Sequence, residues 1–497
     1  MGGRGEIGRR FRLKIGLPYG SAGSSPAVRT TLALFALLAV AGCERRPDTG
    51  PVVVSAVEGE HGPLAARLLT DASEQGLVRF DAAGQIEPGL AERWIVIDEG
   101  RSYIFRLRPA EWAGGGAVTA AQVAAALRRR MTARANPLSP FLSAVDEVVA
   151  MTPQVLEVRL SRQRPDLLKL FAQPELAVVR PRLGGTGPMR VASRAPHPLL
   201  RPAPDPARAD PDEPRETPPE EDVQLVAERA ALAIARFAAG RADLVSGGTF
   251  ADWPLLAAAD VRPDDMRVDP AAGLFGLAVV DRTGFLADPA NRAAVAQAID
   301  RAAVVAAVAP AAAWGATERL LPETLDSAAT PALPAWAALP FEQRRAAARA
   351  QVATAQAPVR VRVALPAGPG ATRLYGPLAA SLLAIGVTPE RVAWTAPADL
   401  KLIDMVAPYD SARWYLAVAC RPCSADAAAA ILAARDAPTT AERGQALARA
   451  DRLLADDHAF IPLARPLRWS LVAPRLRQWQ PNARAWHPLN RLRAEAR

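Results

Sequence analysis

Residues 359–365, VRVRVAL, read as a strand; helical spacing follows over 372–385, and a second strand over 391–395. A strand–helix–strand unit lays two parallel strands side by side beneath a crossover helix, so it requires a sheet covered on its faces. The cadence recurs at 223–240, strand then helix, closed by Gly240. Residues 51–57, PVVVSAV, read as a buried strand that opens the globular region, with helical spacing after it at 63–72. Alternating strands and helices with some hairpins predict α/β lobes, and no short-period repeat is present. Some 455 residues from Cys43 onward exceed what one hydrophobic core organises, so two or three lobes are expected.

Residues 76–80 lead into a turn at Ala83-Gly84. The segment beginning at Ile86 predicts a short helix ahead of Trp94, a strand through Trp94–Ile97, a turn at Glu99-Gly100 and a strand over Tyr103–Leu107. Tyr103, Phe105 and Leu107 alternate with Arg106 and Arg108, as in a half-buried edge hairpin. Thr119 is a fair N-cap for a helix over 120–131. Residues 197–222 are rich in proline and charge and predict a surface loop or flexible insertion.

Residues 28–43, VRTTLALFALLAVAGC, place a basic flank before a short apolar run and small residues before a cysteine, the pattern of an export signal. The run is shorter than the ~20 apolar residues of a membrane span. Its end resembles a bacterial lipobox: Ala41 and Gly42 would admit the peptidase and Cys43 would receive the lipid. A mature chain from Cys43, tethered outside the cytoplasm, is expected; residues 1–27 are too long for an ordinary leader, and a start at Val28 would be more compact. The formal charge is +9, but residues 1–42 carry six cations against Glu6, which leaves +4 spread along the remainder. The mature chain has only Lys169 and Lys401 as lysines and no dense basic run, so nucleic-acid binding gains no support.

With Cys43 lipidated, Cys420 and Cys423 remain, and outside the cytoplasm such a pair forms a disulfide. No phosphate-binding loop, HExxH or GxSxG is present. His61, His197, His458 and His487 lack metal-ligand spacing, so no metal or other cofactor is expected.

Six segments, in order, are similar to the family 5 solute-binding proteins of bacterial ABC importers, the oligopeptide-, dipeptide- and nickel-binding group. They are Gly84 with Pro88-Gly89-Leu90-Ala91-Glu92-Arg93-Trp94; Asp98-Glu99-Gly100 with Tyr103–Arg108; Thr119-Ala120 with Val123; Gly185-Thr186-Gly187-Pro188-Met189; Gly240-Arg241-Ala242-Asp243; and Ala298-Ile299-Asp300-Arg301. The resemblance covers roughly 52–497. It implies an α/β, bilobed periplasmic-binding-protein fold (type II, cluster C-like) with a small inserted domain and no enzymatic activity. The first lobe would comprise 44–78, 181–275 and 466–497, the inserted domain 79–180, and the second lobe 276–465. A peptide or peptide-like solute would be gripped between the lobes of a monomer and delivered to membrane permease subunits.

In peptide binders of this family an acidic residue of the second lobe holds the ligand's ammonium. The corresponding segment here is read as 414–426, with Asp426 its only carboxylate. Candidate ligand contacts are therefore Trp414, Tyr415, Arg421, Ser424 and Asp426, with Arg421 suited to an anion; solvated loop charges and core aromatics are the alternatives. A strand at Tyr415–Ala419, Cys420-Arg421-Pro422-Cys423 and a following helix would also fit a thioredoxin-like oxidoreductase turn. A third reading keeps the fold and makes the protein a solute sensor or peptide chaperone.

Overall fold

The computed structural model describes residues 49–59, 62–164, 166–182, 184–204 and 218–493. The export signal, Cys43 and His61 lie outside the described residues, as does 205–217. Val52–Val57 pairs on both edges with parallel partners, Val223–Glu228 and Leu244–Thr249, and is buried at every position, as expected of a central strand in a sheet covered by helices. It is the middle strand of a seven-stranded sheet. From one edge the order is Met266–Asp269, Arg468–Val472, Leu244–Thr249, Val52–Val57, Val223–Glu228, Leu199–Pro202 and Met189–Ser193. Helices Leu64–Glu74 and Ala230–Ala238 follow and precede these strands as the sequence pattern predicts.

A second, five-stranded sheet runs Val387–Ala393, Val359–Leu365, Leu400–Val406, Gly273–Val279 and Phe460–Ala464. Its first two strands are parallel and joined by helix Pro369–Leu383, the unit expected from 359–395. A four-stranded antiparallel sheet follows the order Ala91–Ile97, Ser102–Leu107, Val155–Leu160, Val145–Thr152. Helix Ala120–Thr132 packs on it and opens with a capping box: Thr119 N donates to Gln122 Oε1 at 3.3 Å.

Three expectations are corrected. The helix ahead of Trp94 is absent; Ile86–Pro88 and Ala91–Ile97 are strands, because Pro88-Gly89 breaks a helix and Leu90 N instead donates to Gly76 O at 3.0 Å. Within 197–222, Leu199–Pro202 is a strand of the seven-stranded sheet, its apolar pair masked in the sequence by surrounding prolines. The segment before Cys420 is helix Ala412–Ala419, not a strand. An apolar run that short carries no readable period, and nearly all its residues are buried. The hairpin at 91–107 supplies one edge strand, while Ser102–Leu107 is interior and keeps Tyr103, Phe105 and Leu107 buried as alternation requires.

The chain crosses between the two large sheets twice, from Asp269 to Gly273 and from Ala464 to Arg468. The crossings are clamped by Arg468, whose Nη1 donates to both oxygens of buried Asp404 at 2.9 and 3.0 Å. Gly273 is required at its crossing, since a Cβ there would lie 2.1 Å from Met405 O.

Candidate functional site at the seam between the halves

The strand Leu400–Val406 ends at the seam between the two halves, and residues 407–411 turn along it. This turn is held by its backbone from across the seam. Arg484 Nη1 donates to Ala407 O at 2.7 Å and Gln173 Nε2 to Pro408 O at 2.5 Å. Tyr409 is buried, its ring edge-on to Phe141 with centroids 5.7 Å apart, and burial raises its phenol pKa.

Asp410 follows, and two cations from the opposite half converge on it. Lys169, on helix Leu167–Phe171, binds Oδ2, and Arg484 binds Oδ1. Burial lowers the pKa of both cations, Arg484 to about 10; for Lys169 the neighbouring Arg484 charge pushes the same way.

Behind Asp410 lies a buried polar network. Ser411 caps helix Ala412–Ala419 in position, and Asp326 accepts from Ala412 N at 2.7 Å and from Ser411 Oγ at 3.2 Å. Arg443 donates to Asp326 at 3.0 Å and to Ser411 Oγ at 2.7 Å. Its Nη2 also lies 3.8 Å from Asp166 of the opposite half. Burial raises the Asp166 pKa; Asp326 adds to the rise and Arg443 opposes it. Arg413 sits over the Phe141 ring and donates to Pro140 O at 3.0 Å, with its buried Nε unpartnered. Arg164 is held by carbonyls alone, those of Gln163 and Arg435.

Of the residues singled out in sequence, Trp414 and Tyr415 are buried in helix Ala412–Ala419, edge-to-face with centroids 5.0 Å apart. Burial pushes the Tyr415 phenol up to about 12. Arg421 and Asp426 face solvent, Asp426 in the first turn of helix Ala425–Asp436. Ser424 caps that helix, accepting from Ala427 N at 3.3 Å. Cys420 and Cys423 are joined by a disulfide between the two helices. With a helix in place of a strand before Cys420, the strand–turn–helix arrangement of a thioredoxin-like site is not formed.

Sequence reading missed Asp410, Lys169 and Arg484, which lie 241 residues apart for the first pair. The available signal was Lys169 as one of two lysines in the mature chain; Asp410 lies in the turn beyond strand Leu400–Val406 and carries no local mark. Among the described residues no group of His, Cys, Asp and Glu could hold a metal ion. His458 accepts from Trp336 Nε1 at 2.9 Å, and His487 lies 3.2 Å from Asp269.

The profile of the bacterial extracellular solute-binding proteins, family 5 (middle), matches residues 85–360, more than half of the chain. The chain belongs to that family. Solved family 5 structures share its bilobed fold. Haemophilus influenzae OppA in complex with RPPGFSPFR is 16% identical, covers 90% of this chain and 99% of its own, and gives a TM-score of 0.73. The Escherichia coli murein tripeptide binding protein MppA is 17% identical with the same coverages and TM-score. AgaA from Agrobacterium tumefaciens R10, solved with agropinic acid, is 17% identical over 85% of this chain and 93% of its own, with a TM-score of 0.64. Among curated proteins, the probable deoxycholate-binding periplasmic protein YgiS of Escherichia coli K12 is 37% identical over 81 residues. That stretch is 16% of this family 5 chain and only 15% of the relative. No helix among the described residues is long and apolar enough to cross a membrane.

Proposed function

We propose that this family 5 protein is the extracytoplasmic receptor of an ABC importer, tethered through lipidated Cys43 and working as a monomer with membrane permease subunits. It would bind a peptide or peptide-like small solute between its lobes. The observation that carries this reading is the seam around Asp410. A half-exposed carboxylate at a strand end faces cations from the other half, across a body whose halves are joined by two short crossings. Sites of this kind close around a solute by hinge motion, with binding energy favouring the closed form.

The first lobe is assigned to 44–78, 181–275 and 466–497, the inserted domain to 79–180 and the second lobe to 276–465. The strand Gly273–Val279 of the five-stranded sheet supports a change of lobe near the first crossing. The relatives' names and complexes point to the peptide RPPGFSPFR, a murein tripeptide, agropinic acid and, for the probable binder YgiS, deoxycholate, so small acids as well as peptides are represented.

Native mass spectrometry of residues 44–497, purified from an exporting host without refolding, tests the reading. A retained solute should appear as a discrete mass increment. At a hundredfold excess over Kd, re-added solute should stabilise the protein by about 2.7 kcal/mol. A bare protein that no peptide or organic acid stabilises would refute the receptor.

A further inference from the structure

Both oxygens of Asp410 are already occupied by Lys169 and Arg484. The other carboxylates of the seam, Asp326 and Asp166, both face Arg443. Arg413 and Arg164 lie along the same seam with carbonyl partners only, and Arg413 keeps a buried unpartnered Nε. Around Asp410 and Arg443 the seam therefore sets five cations, Lys169, Arg484, Arg443, Arg413 and Arg164, against three carboxylates, while Arg162 and Arg435 share Asp436 at its rim. Buried like charges are costly, and a matching counter-charge relieves them.

Resting on the receptor reading above, we infer that the solute is recognised through a carboxylate or similar small anion bound by Lys169 and Arg484. Asp410 then orients those two cations and does not serve as an ammonium receptor. When the halves part, Lys169 and Arg484 leave Asp410 together, because both belong to the opposite half. A solute carboxylate entering there meets the compact ammonium of Lys169 and the fork of Arg484. A solute ammonium placed on Asp410 would keep Lys169 and Arg484 from returning to it on closure and would add a sixth positive charge beside Arg413. An acid adds the missing negative charge and lets the Asp410 contacts re-form as the halves close.

The test compares three forms of one tripeptide library offered to the full mature protein: free, N-acetylated and C-amidated, each read by native mass spectrometry and titration calorimetry. N-acetylated peptides should be retained with affinities within a few-fold of the free forms. C-amidation should weaken binding about tenfold to a hundredfold, the value of a charge-assisted hydrogen bond. Lys169→Met should cause a similar loss for the N-acetylated acid, and Asp410→Asn a smaller one. Loss on acetylation with tolerance of amidation would overturn the inference while leaving the receptor intact. Retention of none of the three forms, with no organic acid bound either, would overturn both. Because the peptide forms are compared on the unaltered protein, a variant that fails to fold does not decide the outcome.

Discussion

Replacing Arg468 by methionine would take its Nη1 away from both oxygens of the buried Asp404 carboxylate at the point where the chain passes between the sheets. Asp404 is 2% exposed at its side chain and Arg468 11%, so solvent screening gives little relief. Removing one member of a buried ion pair costs about 3–5 kcal/mol, mostly the penalty of the stranded charge. For a unit of about 450 residues, an unfolding entropy of about 2.1 cal/mol/K per residue converts this to a fall in Tm of about 3–5 °C. Asp404→Asn should cost less, since the amide keeps one acceptor for Arg468. The double variant Asp404→Asn/Arg468→Met removes both charges of the pair, so it should be more stable than the sum of the two losses predicts, by about 0.5–3 kcal/mol. Differential scanning calorimetry of the four proteins closes the cycle. Additive losses would refute the claim that these two side chains act as a pair at the crossing.

Burial raises the Asp451 carboxyl to about 6, with one oxygen bonded by Ala332 N at 2.7 Å and the other unpartnered. A raised folded pKa favours the folded state at low pH, and that contribution is lost as pH rises from about 3.8 through about 6. Asp451→Asn should therefore be more stable than the unaltered protein by about 1–3 kcal/mol at pH 7.5, with the gap narrowing as pH falls towards 4; a gap that does not change with pH in thermal melts would contradict this. Gly248→Ala places a Cβ 2.1 Å from Cε2 of buried Trp469, a rigid ring tied by its N–H to Thr249 O at 2.9 Å. Overpacking of this kind costs about 1–3 kcal/mol and should alter tryptophan fluorescence. Gly315→Ala, with nothing within 4 Å of its Cβ, should do neither.

The parts of the fold legible in the sequence are those set by local pattern. Val52–Val57, the Thr119 cap and the 359–395 unit each depend on neighbours within a few residues, and the structure keeps all three. Leu199–Pro202 was hidden because its strand character comes from pairing with Val223-Gln224, not from its own prolines and charges. The helix at 412–419 was misread because all-round burial removes the polar face that marks a helical period. The seam was the least legible part. Lys169, Asp410 and Arg484 come from three distant stretches, and nothing local to any one of them says that they meet. Arg421 and Asp426 drew attention through their spacing near the cysteines, yet helix Ala425–Asp436 turns Asp426 to solvent.

The distribution of contacts along the seam also bears on how the halves could part. Lys169–Asp410, Arg443–Asp166, Gln173–Pro408 and Arg413–Pro140 all join one half to the other and must break on opening. Arg468–Asp404 joins the sheets at the crossings themselves, so it can persist as a pivot while the outer contacts separate. Lys169–Asp410 is partly exposed, 25% and 39% accessible, and such a pair contributes about 0–1 kcal/mol once water replaces it, whereas Arg443–Asp166 is nearly buried, 4% and 12%, and parting it uncovers two charges that water must then solvate. If the halves part as the proposed function requires, a pair kept at the crossings favours rotation about them over separation. A solute can tip such an equilibrium only through contacts made to both halves at once, since equal affinity for open and closed forms shifts nothing. Lys169 and Arg484 on one side and the 407–411 turn on the other meet that requirement, whereas Arg421 and Asp426, on one half alone, do not.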